Sequence, residues 1–178
     1  MGKVTSKLNQ PITSFIKQLS RVQRIDYIEI FDNFNFENVS FEAFESWSEG
    51  QYTRNCIFKN EEFELILICW DRNQETSIHN HDGEDCWVYI IEGEIEEVFY
   101  NFEDNGKLKK LRSQIVTNGT TSFINDKIGL HKLRNNSDAK TKSLHLYAKP
   151  IGKCRSYCEE SGVFEEKNLT YDNELSIN

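Results

Sequence analysis

The chain has few of the residues that interrupt regular structure, with two prolines and nine glycines among its 178 residues. This scarcity argues against a collagen-like, fibrous or linker-rich protein. The chain also has no apolar run of about 18 residues, the length that a membrane-spanning helix requires. The remaining composition is that of a globular chain, long enough for one domain with its own hydrophobic core.

Positive charge is also scarce, because 21 Lys and Arg are outnumbered by 29 Asp and Glu, which gives a net charge of -8. Nucleic acids and anionic membrane surfaces are bound through basic faces. We therefore expect neither as a partner, and we interpret the net charge as a contribution to solubility. The expected assembly is a monomer.

The N-terminal residues lack the apolar segment of a secretory signal peptide. Five cysteines, an odd number in a chain without such a segment, are typical of reduced thiols rather than of a disulfide framework. Both features predict a cytoplasmic protein. The first residues, MGKVTS, match the pattern for myristoylation of Gly2, but no polybasic patch follows, so the match alone does not establish lipidation.

Apolar residues in the N-terminal part recur at helical spacing between residues 12 and 32. The spacing predicts an amphipathic helix. Its apolar face would hold Ile12, Phe15, Ile16, Leu19, Val22, Ile25 and Ile28. A second, short helix is predicted with Ser40 as its cap, and it would hold Phe41, Phe44 and Trp47.

From about residue 52 onward the pattern changes to short strands separated by turns. Strand-like runs occupy residues 63–70, 86–91, 92–102, 108–116 and 142–150. Asn105-Gly106 and Asn118-Gly119 are typical hairpin turns between such runs. This spacing predicts a mainly β protein, a sandwich or barrel. We expect a single domain over residues 1–178, helical over about 1–50 and with its β core over about 51–160.

Three of the four histidines provide the main chemical clue. Residues i and i+2 of a strand point to the same face, so His79 and His81 would aim at one point. With His131, they would form a three-histidine metal site, although this ligand set alone does not choose among Zn, Cu, Fe and Ni. A site of two histidines and one carboxylate fits less well, because no Asp or Glu stands two residues after either histidine of the pair. The alternative is that these are ordinary surface or core histidines.

The motifs around these histidines resemble those of known proteins. The segment from His79 resembles the first cupin motif, with Cys86 where most cupins have a glutamate ligand, and the segment from His131 resembles the end of the second. A closer resemblance is to the cysteine dioxygenase family, over about residues 50–158. It rests on the runs YTRN (52–55), ICW (68–70), SIHNH (77–81) with Cys86, His131, and SLHLY (143–147). The resemblance implies a cupin fold, a jelly-roll-like β-barrel or sandwich, with N-terminal α-helices.

The resemblance also implies an activity and a ligand set. His79, His81 and His131 would hold one non-haem Fe(II) per chain. The enzyme would oxidise the thiol of L-cysteine with O2 to cysteine sulfinic acid. Arg54 would bind the substrate carboxylate, because guanidinium is a planar, two-pronged donor, and Tyr52 would support the same end of the substrate.

Ser143, His145 and Tyr147 are spaced so that one face of a strand presents all three. By the resemblance they form a hydrogen-bond relay, in which His145 orients the phenol toward the substrate. The alternative is the solvated face of a half-buried strand. In animal-type members of the family, the cysteine matching Cys86 forms a thioether with the tyrosine matching Tyr147. Because both partners are present, we expect this cross-link here.

Two other functions remain open at this point. The first is a dioxygenase for another small thiol, 3-mercaptopropionate or cysteamine. Arg54 argues against both, because family members that act on 3-mercaptopropionate usually have glutamine at this position and cysteamine has no carboxylate. The second is a non-catalytic cupin that binds a metal or a small ligand.

Overall fold

The computed structural model describes residues 10–174 and consists mainly of two β-sheets, preceded by short helices. The helices are α1 (Gln10–Leu19) and α2 (Tyr27–Asn33), with single 3-10 turns at Arg24–Asp26 and Glu42–Phe44. The candidate myristoylation site, Gly2, lies outside the described residues. No helix in residues 10–174 has the length and apolar character needed to cross a membrane. All five cysteines are free thiols.

The prediction of one helix over residues 12–32 is wrong, because a turn divides it into α1 and α2. At the end of α1 the backbone forms i→i−3 hydrogen bonds, from Arg21 N–H to Gln18 O at 3.1 Å and from Val22 N–H to Leu19 O at 3.4 Å. Gln23 is then extended, with φ -83° and ψ 158°. The predicted apolar face therefore applies to α1, whereas Ile25 is 80% exposed.

The predicted helix after Ser40 is also shorter than expected. Only the 3-10 turn Glu42–Phe44 forms, with Phe41 at its cap position. Phe41 and Phe44 are nevertheless buried, while Trp47 lies beyond the turn and packs beside the same apolar cluster. The expected burial is present, although most of the expected helix is not.

Twelve strands follow in the described part of the chain. They are β1 (Thr53–Lys59), β2 (Glu64–Trp70), β3 (Ile78–His79), β4 (Cys86–Glu92), β5 (Glu94–Phe102), β6 (Leu108–Thr117), β7 (Thr121–Ile124), β8 (Leu130–Arg134), β9 (Thr141–Tyr147), β10 (Lys153–Cys158), β11 (Val163–Asn168) and β12 (Asn173–Glu174). Five of them, β2, β4, β5, β6 and β9, coincide with the strand-like runs predicted from the sequence. The turn at Asn105-Gly106 joins β5 to β6, and the φ of 78° at Gly106 is one that glycine adopts without strain.

The strands form two six-stranded sheets. The first has the order β12-β1-β2-β9-β4-β7 and the second the order β11-β10-β3-β8-β5-β6. Neighbouring strands are antiparallel, except that β12 pairs with β1 in parallel. The expectation of a mainly β sandwich with N-terminal helices is confirmed.

Strand β2 explains how the core is divided, because it is apolar on both of its faces. Leu65, Leu67 and Cys69 belong to the cluster that packs against the helices. Ile66, Ile68 and Trp70 alternate with them and belong to a second cluster between the sheets. A strand covered on both faces reads as a continuous apolar run, which is what FELILICW shows. The space between the sheets is also where the histidines lie.

Candidate metal centre

The three histidines predicted as metal ligands lie together, two on neighbouring strands of the second sheet and His81 just beyond the end of β3. His79 ends β3 and stands directly opposite His131 of β8. His81 follows two residues after His79, and its Nε2 lies 3.1 Å from Nε2 of His131. One potential ligand atom from each imidazole lies within 4.8 Å of the other two. The arrangement has the size and donor chemistry of a metal site with three nitrogen ligands.

The outer nitrogens of two of these rings are fixed by hydrogen bonds. His131 Nδ1 donates to Glu97 Oε1 at 2.7 Å, and His79 Nδ1 donates to the carbonyl of Ser77 at 2.9 Å. With Nδ1 protonated, each ring keeps the lone pair of Nε2 free for a metal. His81 is held through its backbone instead, because its N–H donates to Asp126 Oδ1 at 2.7 Å. Its Nδ1 is buried and has no hydrogen-bond partner.

The charge state of the histidines also suits a metal. Burial lowers the pKa of His79 to about 3, and the neighbouring His131 contributes to the shift. Burial lowers the pKa of His81 well below its ordinary value, again with a contribution from His131. Both rings are therefore neutral near pH 7, which is the form of imidazole that binds metal ions.

Glu97 is a buried carboxylate that the sequence analysis did not identify. It lies on β5 with no exposed surface and accepts hydrogen bonds from His131, from the hydroxyl of Ser122 and from Gln114 Nε2. Burial by itself raises the pKa of Glu97, but these hydrogen bonds bring it below the ordinary value, so the group is ionised. The sequence does contain a signal for its burial: two-residue alternation along β5 places Glu97 on the same inward face as Ile95 and Phe99.

Arg54 reaches the same cavity from β1 of the other sheet. The cavity is lined by His79, His131, Tyr147, Arg54 and Tyr52, among others. Arg54 is only 9% exposed, and its Nε and Nη2 are buried without a hydrogen-bond partner. Two nitrogens without hydrogen-bond partners on a buried cation are costly unless an anion binds there. Tyr52 packs its ring on Trp70, with 4.8 Å between centroids.

The row Ser143, His145 and Tyr147 lies on the face of β9 turned toward the second sheet. Trp70 Nε1 donates to Ser143 Oγ at 2.8 Å, and Ser143 Oγ lies 2.8 Å from His145 Nε2. Because an indole N–H only donates, Ser143 accepts from Trp70 and can donate to His145. The rings of His145 and Tyr147 are nearly parallel, with 6.3 Å between centroids. Trp70, the last residue of β2, is thus the first member of this chain of contacts.

Cys86 and Tyr147 occupy opposing positions on β4 and β9. Cys86 is fully buried and Tyr147 is 4% exposed. Burial raises the pKa values of both the Cys86 thiol and the Tyr147 phenol, so both are protonated near neutral pH. Six of the residues predicted for the site line one small cavity: Tyr52, Arg54, His79, His131, His145 and Tyr147. His81, Ser143 and Cys86 do not line it, but each lies beside or opposite a residue that does.

Comparison with known protein families assigns the chain to one of them. A family model described as cysteine dioxygenase type I matches residues 3–160. The chain belongs to this family. It is similar to the cysteine dioxygenase type 1 of Danio rerio, with 24% identity over 173 residues that cover 91% of this chain and 86% of the relative. It is 28% identical to the cysteine dioxygenase type 1 of Homo sapiens over 162 residues, or 82% and 81% of the two chains. The protein is thus an enzyme, a thiol dioxygenase of this family.

Solved structures agree on the fold. A conserved protein from Klebsiella pneumoniae with a double-stranded β-helix domain superposes with a TM-score of 0.52 and 13% identity, covering 75% of this chain and 98% of that one. The cupin domain of Schizosaccharomyces pombe Cnp3 superposes with a TM-score of 0.50 and 14% identity, covering 64% and 74%. At these identities the likeness shows the fold alone, and it confirms the expected cupin architecture.

Proposed function

We propose that this chain is an iron-dependent cysteine dioxygenase that oxidises the thiol of L-cysteine with O2 to cysteine sulfinic acid. One observation carries the proposal: a buried arginine with unpaired N–H donors shares a cavity with a cluster of three imidazoles. The arginine suits a carboxylate and the imidazoles suit a metal that binds a thiolate. A small molecule that carries both a carboxylate and a thiol fits the two ends of the cavity.

We assign His79, His81 and His131 as the ligands of one Fe(II) per chain. The neutral state of the His79 and His81 imidazoles and the hydrogen bonds that Nδ1 of His79 and of His131 donate support this assignment. Family membership supports iron among the metals that imidazole binds. Fe(II), when bound, would supply the Lewis acidity that lowers a thiol pKa and the redox chemistry that activates O2.

The substrate would be oriented by the first sheet. Arg54 is the residue for the carboxylate, with Nε and Nη2 available as donors, and Tyr52 forms the adjoining wall of the cavity. The protonated Tyr147 can donate a hydrogen bond to the substrate. His145, held by Ser143, lies against the Tyr147 ring and restricts its orientation. Because the Arg54, His145 and Tyr147 side chains are buried, these contacts act with little competition from water.

The remaining features of the proposal concern the whole chain. We assign residues 1–178 to one cupin-type domain that acts as a cytoplasmic monomer, with neither nucleic acid nor membrane as a partner. The net charge of -8 and the free state of all five cysteines support this assignment. L-cysteine and O2 are then the only substrates required, since both oxygen atoms enter the product.

Oxygen uptake by the Fe(II)-loaded protein tests the proposal. With L-cysteine and isotope-labelled O2, we expect one O2 consumed per thiol and both labelled atoms in the sulfinic acid. The same assay is run with 3-mercaptopropionate and with cysteamine. Faster oxidation of either one would identify the enzyme as a dioxygenase for that thiol. Metal binding without oxygen uptake on any of the three thiols would identify a non-catalytic cupin.

A further inference from the structure

The C-terminal segment of the described chain holds Arg54 although it lies beyond the part that matches the family model, which ends at residue 160. Strand β12 pairs in parallel with β1, the strand that carries Arg54. Just before β12, Asp172 makes two hydrogen bonds to the Arg54 backbone: its carboxylate accepts from Arg54 N–H and its N–H donates to Arg54 O, both at 2.8 Å. The segment is therefore fixed to the residue proposed to bind the substrate carboxylate.

The same segment contacts the Arg54 side chain and closes the cavity beside it. Leu169 lines the cavity together with Arg54. The ring of Tyr171 lies 6.0 Å from Arg54 Cζ, within the range of a cation–π contact. Within residues 10–174, Arg54 forms no salt bridge, and its backbone makes two hydrogen bonds while Nε and Nη2 of its side chain make none. The aromatic ring, which also has Lys59 Nζ 4.8 Å from its centroid, is thus a contact that can restrict the guanidinium without occupying its donors.

Tyr171 is itself anchored in the protein interior. Its hydroxyl donates to Oε2 of Glu64, a fully buried carboxylate on β2. The other oxygen of Glu64 accepts from the backbone N–H of Ile151 at 3.1 Å. A buried carboxylate bonded on both oxygens is a fixed support, so the ring is held at both its hydroxyl end and its backbone. The Tyr171 ring is therefore fixed in place and can restrict the orientation of the Arg54 guanidinium.

We propose that Tyr171 is a positioning residue, which together with Asp172 directs the Arg54 guanidinium toward the substrate carboxylate and so sets the preference for thiols that carry one. The proposal rests on the assignment of Arg54 under the proposed function. Its consequence is specific: loss of the Tyr171 ring should weaken binding only of ligands that have a carboxylate. A purely structural role would weaken all ligands alike.

The test measures binding in the absence of O2, so that it does not depend on turnover. Fe(II)-loaded protein is titrated anaerobically with L-cysteine and with cysteamine, which lacks only the carboxylate. In Tyr171→Ala we expect cysteine binding to weaken about tenfold, the scale of a desolvated cation–π contact, while cysteamine binding stays unchanged. Tyr171→Phe keeps the ring and should retain most of the affinity for cysteine. Tyr100→Ala removes a tyrosine of the second sheet away from the cavity and serves as the matched control.

The outcomes separate the two proposals. The positioning role is overturned if Tyr171→Ala binds cysteine as tightly as the wild type. It is also overturned if cysteine and cysteamine binding fall together, or if wild-type protein does not prefer cysteine over cysteamine. A carboxylate-dependent loss in a protein that consumes no O2 would support the role of Tyr171 and refute the dioxygenase activity. Iron content is measured for every variant, and an unchanged content is expected because Tyr171 touches no proposed ligand.

Discussion

Cys86 lies directly opposite Tyr147 in the antiparallel pair of β4 and β9. Side chains at directly opposing positions have Cβ atoms about 4.5–5.5 Å apart, which is close enough for a sulfur to reach the neighbouring ring. Both side chains are buried and protonated, so they are protected from competing reagents in solution. The backbone register thus already supplies the placement that a thioether between them requires.

We predict that a fraction of the purified protein carries a Cys86–Tyr147 thioether and that this fraction increases with turnover. The bond replaces one S–H and one ring C–H, a two-electron oxidation in which O2 takes up both hydrogens, so the linked peptides weigh two hydrogen atoms less than their sum. Peptide mass mapping before and after many turnovers measures it. Cys86→Ala should lack the cross-link and lose activity only modestly, because Cys86 is not a proposed ligand.

Cys69→Ala provides the matched control for this experiment. Cys69 is a buried strand cysteine like Cys86, but it packs in the cluster that faces the helices. The cross-linked fraction should be the same in Cys69→Ala as in the wild type. Finding Cys86 unmodified after extended turnover would contradict the prediction.

Metal binding gives the second prediction. His131→Ala removes one of three nitrogen ligands and should abolish most iron binding. Glu97→Gln leaves all ligands in place but replaces the anionic acceptor of His131 Nδ1, so we expect iron affinity to fall about 10- to 100-fold, as is typical for such outer hydrogen bonds. Elemental analysis and competition with a chelator measure both effects.

A neighbouring glutamate controls for the charge change in that experiment. Glu96 is adjacent on β5 but lies on the opposite face, where it accepts a hydrogen bond from Asn136. Glu96→Gln should bind iron like the wild type. Full iron occupancy in His131→Ala would refute the ligand assignment, whereas unchanged affinity in Glu97→Gln would refute only the role of Glu97.

The histidine site could be predicted from the sequence because its signals are local. The spacing of His79 and His81 places them on one side of an extended segment, and the turns at Asn105-Gly106 and Asn118-Gly119 mark the hairpins around them. The single helix over residues 12–32 was predicted wrongly because it, too, was inferred from a local pattern. The apolar spacing continues across Ser20 and Gln23, so it does not reveal the backbone hydrogen bonds that end α1.

The supports of the site depend instead on pairings between distant strands. Glu97 is in an acidic run that reads as a solvated face, and its partners Gln114 and Ser122 come from β6 and β7. The bond from Asp172 to Arg54 spans 118 residues. Single-sequence patterns specify which face of a strand is apolar, but they do not specify which strands become neighbours. The histidine cluster was therefore predictable, with the family resemblance supporting His131 as its third member, whereas most of the residues that support the cluster were not.

Substrate selection by Arg54 is the third prediction. A charge-assisted, two-pronged contact to a carboxylate in a cavity largely closed to water contributes about 2–3 kcal/mol. Arg54→Ala should therefore lower kcat/KM for L-cysteine about a hundredfold, with iron content unchanged. Arg54→Lys keeps the charge but loses the planar pair of donors, so its kcat/KM for L-cysteine should lie between those of the wild type and Arg54→Ala. Steady-state oxygen uptake over a range of cysteine concentrations measures the effect.

Cysteamine distinguishes carboxylate binding by Arg54 from a structural role. It has no carboxylate, so Arg54→Ala should change its already slow oxidation very little. Arg134→Ala is the matched control, because Arg134 lies on the surface of β8 and pairs with Glu75 at 3.4 Å; it should leave both substrates unaffected. An equal loss of kcat/KM for cysteine and cysteamine in Arg54→Ala would mean that Arg54 stabilises the structure of the cavity and does not bind the substrate carboxylate. The preference for cysteine would then lose its main physical support, because Lys167, the other cation that lines the cavity within residues 10–174, is exposed to solvent.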